Sequence, residues 1–174
     1  MKKLLAYGAG TLLFLLQLHA QDGEVWTRIK EVNLPKESLQ ASWQRIYRSP
    51  LLQEEVYSEG VVYIKNPDRL RWETHKPSYR LTLADGTEPR GRFRLPREKD
   101  FKITVLEGEH YSIKLEPLRR DMKQLVGQIV LVVEKNTYKL LYVNIRGVDG
   151  DWTQLSFSNL VMDPLLPDSL FVKE

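Results

Sequence analysis

From Pro50 onward the apolar residues of this chain recur at every second position, and no other feature constrains the fold as much. The segments 56–65, 70–74, 79–83, 101–106, 111–115, 129–133, 138–145 and 152–157 all show the pattern. A period of two sends successive side chains to opposite faces, so each segment predicts a β-strand with one apolar face. The breaks carry turn chemistry, with Asp85-Gly86, Glu107-Gly108, Lys135-Asn136 and Asp149-Gly150 between them. Connections this short join antiparallel neighbours, and alternation leaves one face of such a sheet buried and the other wet.

Three stretches depart from that period. Residues 21–33 predict an amphipathic helix, with Val25, Trp26, Ile29 and Val32 at helical spacing and Leu34-Pro35 closing it. Residues 39–48 fit two readings: Leu39, Trp43, Ile46 and Tyr47 suit a helix, whereas Ala41, Trp43 and Tyr47 suit a strand. Residues 117–127 predict a second helix, with Pro117 in the first turn, Leu118, Met122, Leu125 and Val126 on one face, and Gly127 as the stop. Such a face needs something apolar beneath it. The expected class is therefore α+β, a curved antiparallel sheet capped by one or two helices. No internal repeat or low-complexity linker divides residues 21–174, which are read as one domain.

The first twenty residues are expected to lie outside that domain. Lys2 and Lys3 precede an apolar run from Leu4 to Leu18, interrupted by Gly8, Gly10 and Gln17, and Leu18-His19-Ala20 ends in a small residue. This is the layout of a cleaved signal peptide with the mature chain starting near Gln21, and the run is short and flawed for a membrane span. Of 26 basic residues against 23 acidic, two basic ones fall in this leader, so the mature chain is close to neutral. That balance, in an exported chain, argues against nucleic-acid binding. The absence of cysteine excludes thiolate chemistry, disulfides and a lipidated N-terminal cysteine, so the mature protein is expected to be soluble.

Nothing in the chain assembles into an active site. His75 and His110 have no metal-ligand spacing with Asp or Glu, and Asp149-Gly150-Asp151 reads as a hairpin turn. Glu54 and Glu55 point to opposite sides if extended, a poor arrangement for paired acid–base work. No nucleophile elbow, phosphate-cradling glycine loop or H-E-x-x-H helix is present. We expect no enzyme, no metal and no cofactor. The most basic stretch, "RGRFRLPREK" with Arg90, Arg92, Arg94, Arg97 and Lys99, reads first as a solvated hairpin whose charges protect a sheet edge. Its other reading is an electrostatic contact with a partner or an anionic headgroup.

The order and spacing of several short motifs resemble a family. Ser58-Glu59-Gly60, Val62-Tyr63-Ile64-Lys65, Asn66-Pro67, Leu70-Arg71-Trp72-Glu73, Pro77 and Ala84-Asp85-Gly86 together resemble the LolA-like lipoprotein-carrier pattern. Gly150-Asp151-Trp152-Thr153, Phe157-Ser158-Asn159 and Leu166-Pro167-Asp168-Ser169-Leu170-Phe171 resemble the family's ending, though less specifically. The resemblance implies an incomplete antiparallel β-barrel, a half-barrel with helices covering its open side around an apolar cavity. It also assigns residues 41–47 to the first strand. The chain is expected to carry no long extension after Phe171.

By resemblance, the function is that of a periplasmic carrier. It would shelter the acyl chains of lipoproteins accepted from an inner-membrane, lipoprotein-releasing ABC transporter and pass them toward an acceptor at the outer membrane. The alternative is a module of the same fold for another lipid-like ligand, such as a glycolipid or polyene, or a lipoprotein-sensing regulator. A monomer is expected. Val62, Ile64, Leu70 and Trp72, with Leu81 and Leu83 on the next strand, are the expected cavity lining, and Leu118, Met122 and Leu125 the expected face of the lid helix. Arg69 and Arg71 are expected on the solvated face. Two departures stand out. Family carriers place an arginine that latches the lid before the turn proline, where this chain has Asn66, leaving either a weaker latch or one supplied by Lys65. The aromatic-rich segment after the S-D-G turn is replaced here by the basic stretch.

Overall fold

The computed structural model describes residues 24–33, 35–65, 69–85 and 98–172. The expected signal peptide, Asn66 and residues 90–97 of the basic stretch lie outside the described residues. One α-helix, α1 (Glu24–Asn33), precedes nine strands: β1 (Ser38–Arg48), β2 (Val56–Lys65), β3 (Arg69–Lys76), β4 (Arg80–Asp85), β5 (Phe101–Glu107), β6 (Tyr111–Pro117), β7 (Val126–Val133), β8 (Leu140–Gly147) and β9 (Trp152–Met162). They form one sheet in the order β4-β3-β2-β1-β9-β8-β7-β6-β5, with β4 and β5 as its edges among the described residues. The hairpin partners β2/β3, β3/β4, β5/β6, β6/β7, β7/β8 and β8/β9 are all antiparallel. No helix among the described residues is long and apolar enough to cross a membrane.

Each of the eight alternating segments corresponds to a strand, and residues 39–48 are extended. Leu39, Ala41 and Trp43 are buried in strict alternation, which a helix would not produce. Tyr138, expected in β8, instead sits in the preceding turn with φ 58, and β8 starts at Leu140.

The second expected helix is corrected. Only Arg120–Lys123 forms a helical turn. Pro117 closes β6 opposite Phe101, and Val126 and Gly127 already belong to β7. The β-branched run that follows Gly127 draws its start back into the sheet, so Gly127 is a strand residue and not a helix stop. Leu118 is consequently exposed, Leu125 is half-buried, and of the three expected lid residues only Met122 is buried.

Contacts divide the chain into two units, both sharing β1 and β9. The first holds α1, residues 45–56 and residues 96–156. Its sheet carries two cross-strand rows, Ile113–Leu131–Val143–Leu155 and Leu115–Ile129–Ile145–Thr153, each in direct register and apolar except for Thr153. Residues directly opposite in antiparallel strands share a face, so both rows form one surface, and all eight residues are buried. Helix α1 buries Trp26 and Ile29. It is tied to the β7–β8 hairpin through Asn33, whose Nδ2 donates to Tyr138 O at 2.6 Å and to Ile29 O at 2.7 Å, while Leu140 N–H donates to its Oδ1 at 2.8 Å. The amide thus satisfies a helix-end carbonyl and two hairpin groups together.

The second unit comprises residues 35–44, 57–95 and 157–174. It contains β2–β4, the ends of β1 and β9, and a 3-10 turn at Asp168–Phe171.

Candidate functional site

The register of the second unit sorts its side chains onto two unlike faces. Val62 pairs with Trp72, Ile64 with Leu70 and Gly60 with Thr74, while Trp72 pairs with Thr82 and Leu70 with Ala84. These residues share one face. Trp43 joins it, its ring 4.7 Å from that of Trp72 at an interplanar angle of 31°. Leu39 and Ala41 follow Trp43 by alternation. Leu39, Ala41, Trp43, Val62, Ile64, Leu70 and Trp72 are each at most 2% exposed.

Two details fix the Trp pair. The Trp43 indole N–H donates to the backbone carbonyl of Glu73 at 3.1 Å. That carbonyl stands where a side chain on Gly60 would be: a Cβ there would lie 1.8 Å from the oxygen. Glycine at position 60, beside the register shift between Glu59 and Gly60, therefore lets the carbonyl turn toward Trp43. The Trp72 indole, by contrast, has a buried N–H with no hydrogen-bond partner among the described residues. Leaving such a donor unpaired costs about 1–3 kcal/mol.

The opposite face holds Tyr63 and Lys65 of β2, Arg69, Arg71 and Glu73 of β3, and Leu81 and Leu83 of β4, since Arg71 pairs with Leu83 and Glu73 with Leu81. Here the expected site splits. Leu81 and Leu83 do not extend the surface formed by Val62, Ile64, Leu70 and Trp72 but lie behind it. The connection between β3 and β4 sets their parity, and periodicity within one strand cannot reveal it.

This second face is also not simply solvated. Lys65 Nζ donates to Leu166 O at 3.0 Å and pairs with Asp168 Oδ1 at 2.5 Å, Arg69 pairs with the same carboxylate oxygen at 2.6 Å, and Arg71 donates to Leu170 O at 2.9 Å. Arg71 also pairs with Glu73, which His75 approaches at 3.1 Å. Three basic residues thus hold the 168–171 turn on the sheet, and Phe171 is buried there at 1% exposure. Lys65 and Arg69 hold the Asp168 carboxyl below the usual carboxylate range. Burial pushes the Glu73 carboxyl up, but Arg71 and His75 outweigh it, and the net direction is down. Upstream, Asp163 accepts from the backbone N–H groups of Glu37 at 2.7 Å and Ser38 at 3.1 Å, anchoring the chain as it leaves β9.

Sequence reasoning missed this clamp, whose partners lie about a hundred residues apart and follow no period. The available signal was a cluster of three cations, Lys65, Arg69 and Arg71, matched by a lone aspartate three residues from a phenylalanine. Of the two candidate latch positions, Asn66 lies outside the described residues and Lys65 bonds to Leu166 and Asp168, not to a lid helix. Among the described residues no group of three or more His, Asp or Glu is gathered as a metal would require.

No family model matches the chain, and no curated protein matches it. Among solved structures it is similar to a LolA superfamily protein from Nitrosomonas europaea, at 13% identity and TM-score 0.49, covering 89% of this chain and 99% of that one. It is also similar to a DUF1329 family protein from Desulfovibrio piger, at 12% identity and TM-score 0.46, covering 96% and 97%. A third similar structure is the MucA/MucB complex of Pseudomonas aeruginosa, at 11% identity and TM-score 0.46, covering 95% of this chain and 61% of that one.

Proposed function

We propose that this protein is a non-enzymatic periplasmic carrier that shelters the acyl chains of lipoproteins and passes them from the inner membrane toward the outer membrane. The supporting observation is the apolar face built by Trp43, Val62, Ile64, Leu70 and Trp72, set on strands whose motifs resemble those of LolA-like carriers. An acyl chain gains about 0.8 kcal/mol per buried CH₂, so a long chain in water is disfavoured on the order of 10 kcal/mol. Crossing an aqueous gap requires an apolar shelter, and delivery without an energy source requires that the chain leave for a better acceptor. In this reading the face is buried in the cargo-free state and opens to accept a chain. The donor is the lipoprotein-releasing ABC transporter of the inner membrane, and the protein works as a monomer.

Uptake of an environment-sensitive hydrophobic dye by the mature protein tests the proposal. Dye is expected to bind and to be displaced by a triacylated lipopeptide, and Trp72→Glu is expected to abolish retention while secretion continues. A folded Trp72→Glu variant that binds dye like the wild type removes Trp72 from the site. Displacement by glycolipid but not by lipopeptide moves the assignment to a same-fold module for another lipid.

A further inference from the structure

Resting on the carrier reading, we propose that the Trp72 indole N–H is the hydrogen-bond donor that receives the carbonyl oxygen at the head of a bound acyl chain. The two tryptophans of the site lie in ring contact and are both buried, yet their N–H groups have different fates. That of Trp43 is spent on the Glu73 carbonyl, which the absence of a side chain at Gly60 allows to turn toward it. That of Trp72 is buried beside Val62 and Leu70 and has no acceptor among the described residues. Buried donors are nearly always paired, so one left open on an apolar surface calls for an acceptor, and an incoming ligand can bring it.

An indole can only donate, so the ligand must bring a lone pair and cannot be a plain hydrocarbon. Esters and amides that join acyl chains to a lipoprotein or lipid supply such an oxygen, and so does a free fatty acid. Charge separates these sources in part. Lys65, Arg69 and Arg71 lie on the opposite face and are engaged with Asp168, Glu73 and backbone carbonyls. Arg80, opposite Thr74 at the exposed end of β4, shares the face with Trp72. A neutral ester needs only the indole, whereas a carboxylate needs Arg80 as well. Other buried polar atoms without partners, such as Thr153 Oγ1 and Asn144 Oδ1, belong to the other unit.

The test titrates the mature protein with hexadecane, methyl hexadecanoate and hexadecanoic acid, reading affinity by dye displacement and the four tryptophan indole resonances by NMR. The wild type is expected to prefer the ester over the alkane about tenfold, the upper end of a single hydrogen bond's worth. The Trp72 indole proton should move downfield with the ester alone. In Trp72→Phe the preference should fall to near parity. Tighter binding of the acid that is lost in Arg80→Gln assigns the carbonyl to a free fatty acid. Equal affinity of the wild type for ester and alkane, or an unmoved Trp72 resonance, overturns the donor assignment while leaving the carrier reading intact. Failure of all three ligands to bind overturns the carrier reading and this inference with it. Should Trp72→Phe fail to fold, the wild-type resonance decides.

Discussion

The two units cover their sheets by different chemistry. In the unit of β5–β8, a helix is fastened to a hairpin by one neutral amide, Asn33. In the unit of β2–β4, a short 3-10 turn is fastened by three cations to one carboxylate and two backbone carbonyls. Neutral hydrogen bonds keep their strength across salt and pH, whereas exposed ion pairs lose theirs to screening and protonation. The first attachment is therefore expected to be insensitive to salt and pH, and the second to depend on them. Under the proposed function the first unit would be the scaffold and the second the region that yields, and most of the motifs that resemble the LolA-like pattern lie in β2–β4.

Substitutions that break this contrast differ in size. Gly60→Ala should have the largest effect, about 3 kcal/mol or more, because its Cβ would meet the Glu73 carbonyl and eject it from the Trp43 bond. Chemical denaturation gives the magnitude, and hydrogen exchange should show the loss in β1–β4 with β6–β8 still protected. Phe171→Ala should cost about 3 kcal/mol, the lower end for truncation of a buried aromatic ring, and should free residues 168–171 for proteolysis. Asn33→Ala should cost about 2 kcal/mol by stranding the Tyr138 carbonyl and the Leu140 N–H, and should loosen α1 alone. Uniform loss of protection in any of these variants would erase the distinction between the units.

The smallest effect is the most diagnostic of conditionality. The Asp168 carboxyl is held below its ordinary value by Lys65 and Arg69, so its contribution is complete above pH about 4 and is lost as pH falls through the lowered value. Proteolytic release of the 168–171 turn should therefore rise below pH about 4 and with added salt. Asp168→Asn should show the released behaviour at neutral pH, while the Asn33 anchor is unchanged. Release that ignores both salt and this substitution would mean that Phe171 alone holds the turn.

How much of this was legible beforehand depends on range. Strand positions were, because an in-out alternation such as Val62-Tyr63-Ile64-Lys65 is a local consequence of burial on one side. Residues 117–127 misled because Pro117 and Gly127 punctuate a strand end and a strand start as readily as a helix. Leu81 and Leu83 lie opposite the expected face because their parity relative to Leu70 and Trp72 depends on how residues 76–80 turn. The clamp was hidden because Arg71 and Leu170 meet only after folding, and the Trp43 bond to the Glu73 carbonyl likewise joins segments distant in sequence. Pattern within a segment was readable; pairing between segments was not.

Whatever co-purifies with the native protein bears most directly on the proposal that it carries acyl chains. Protein produced from the full chain and purified without detergent would be extracted with organic solvent and analysed by mass spectrometry, with the eluted polypeptides resolved alongside. Acylated polypeptide in stoichiometric proportion is the predicted result, with less retained by Trp72→Glu. Protein that yields neither acylated polypeptide nor lipid, and takes up no hydrophobic dye, would contradict it.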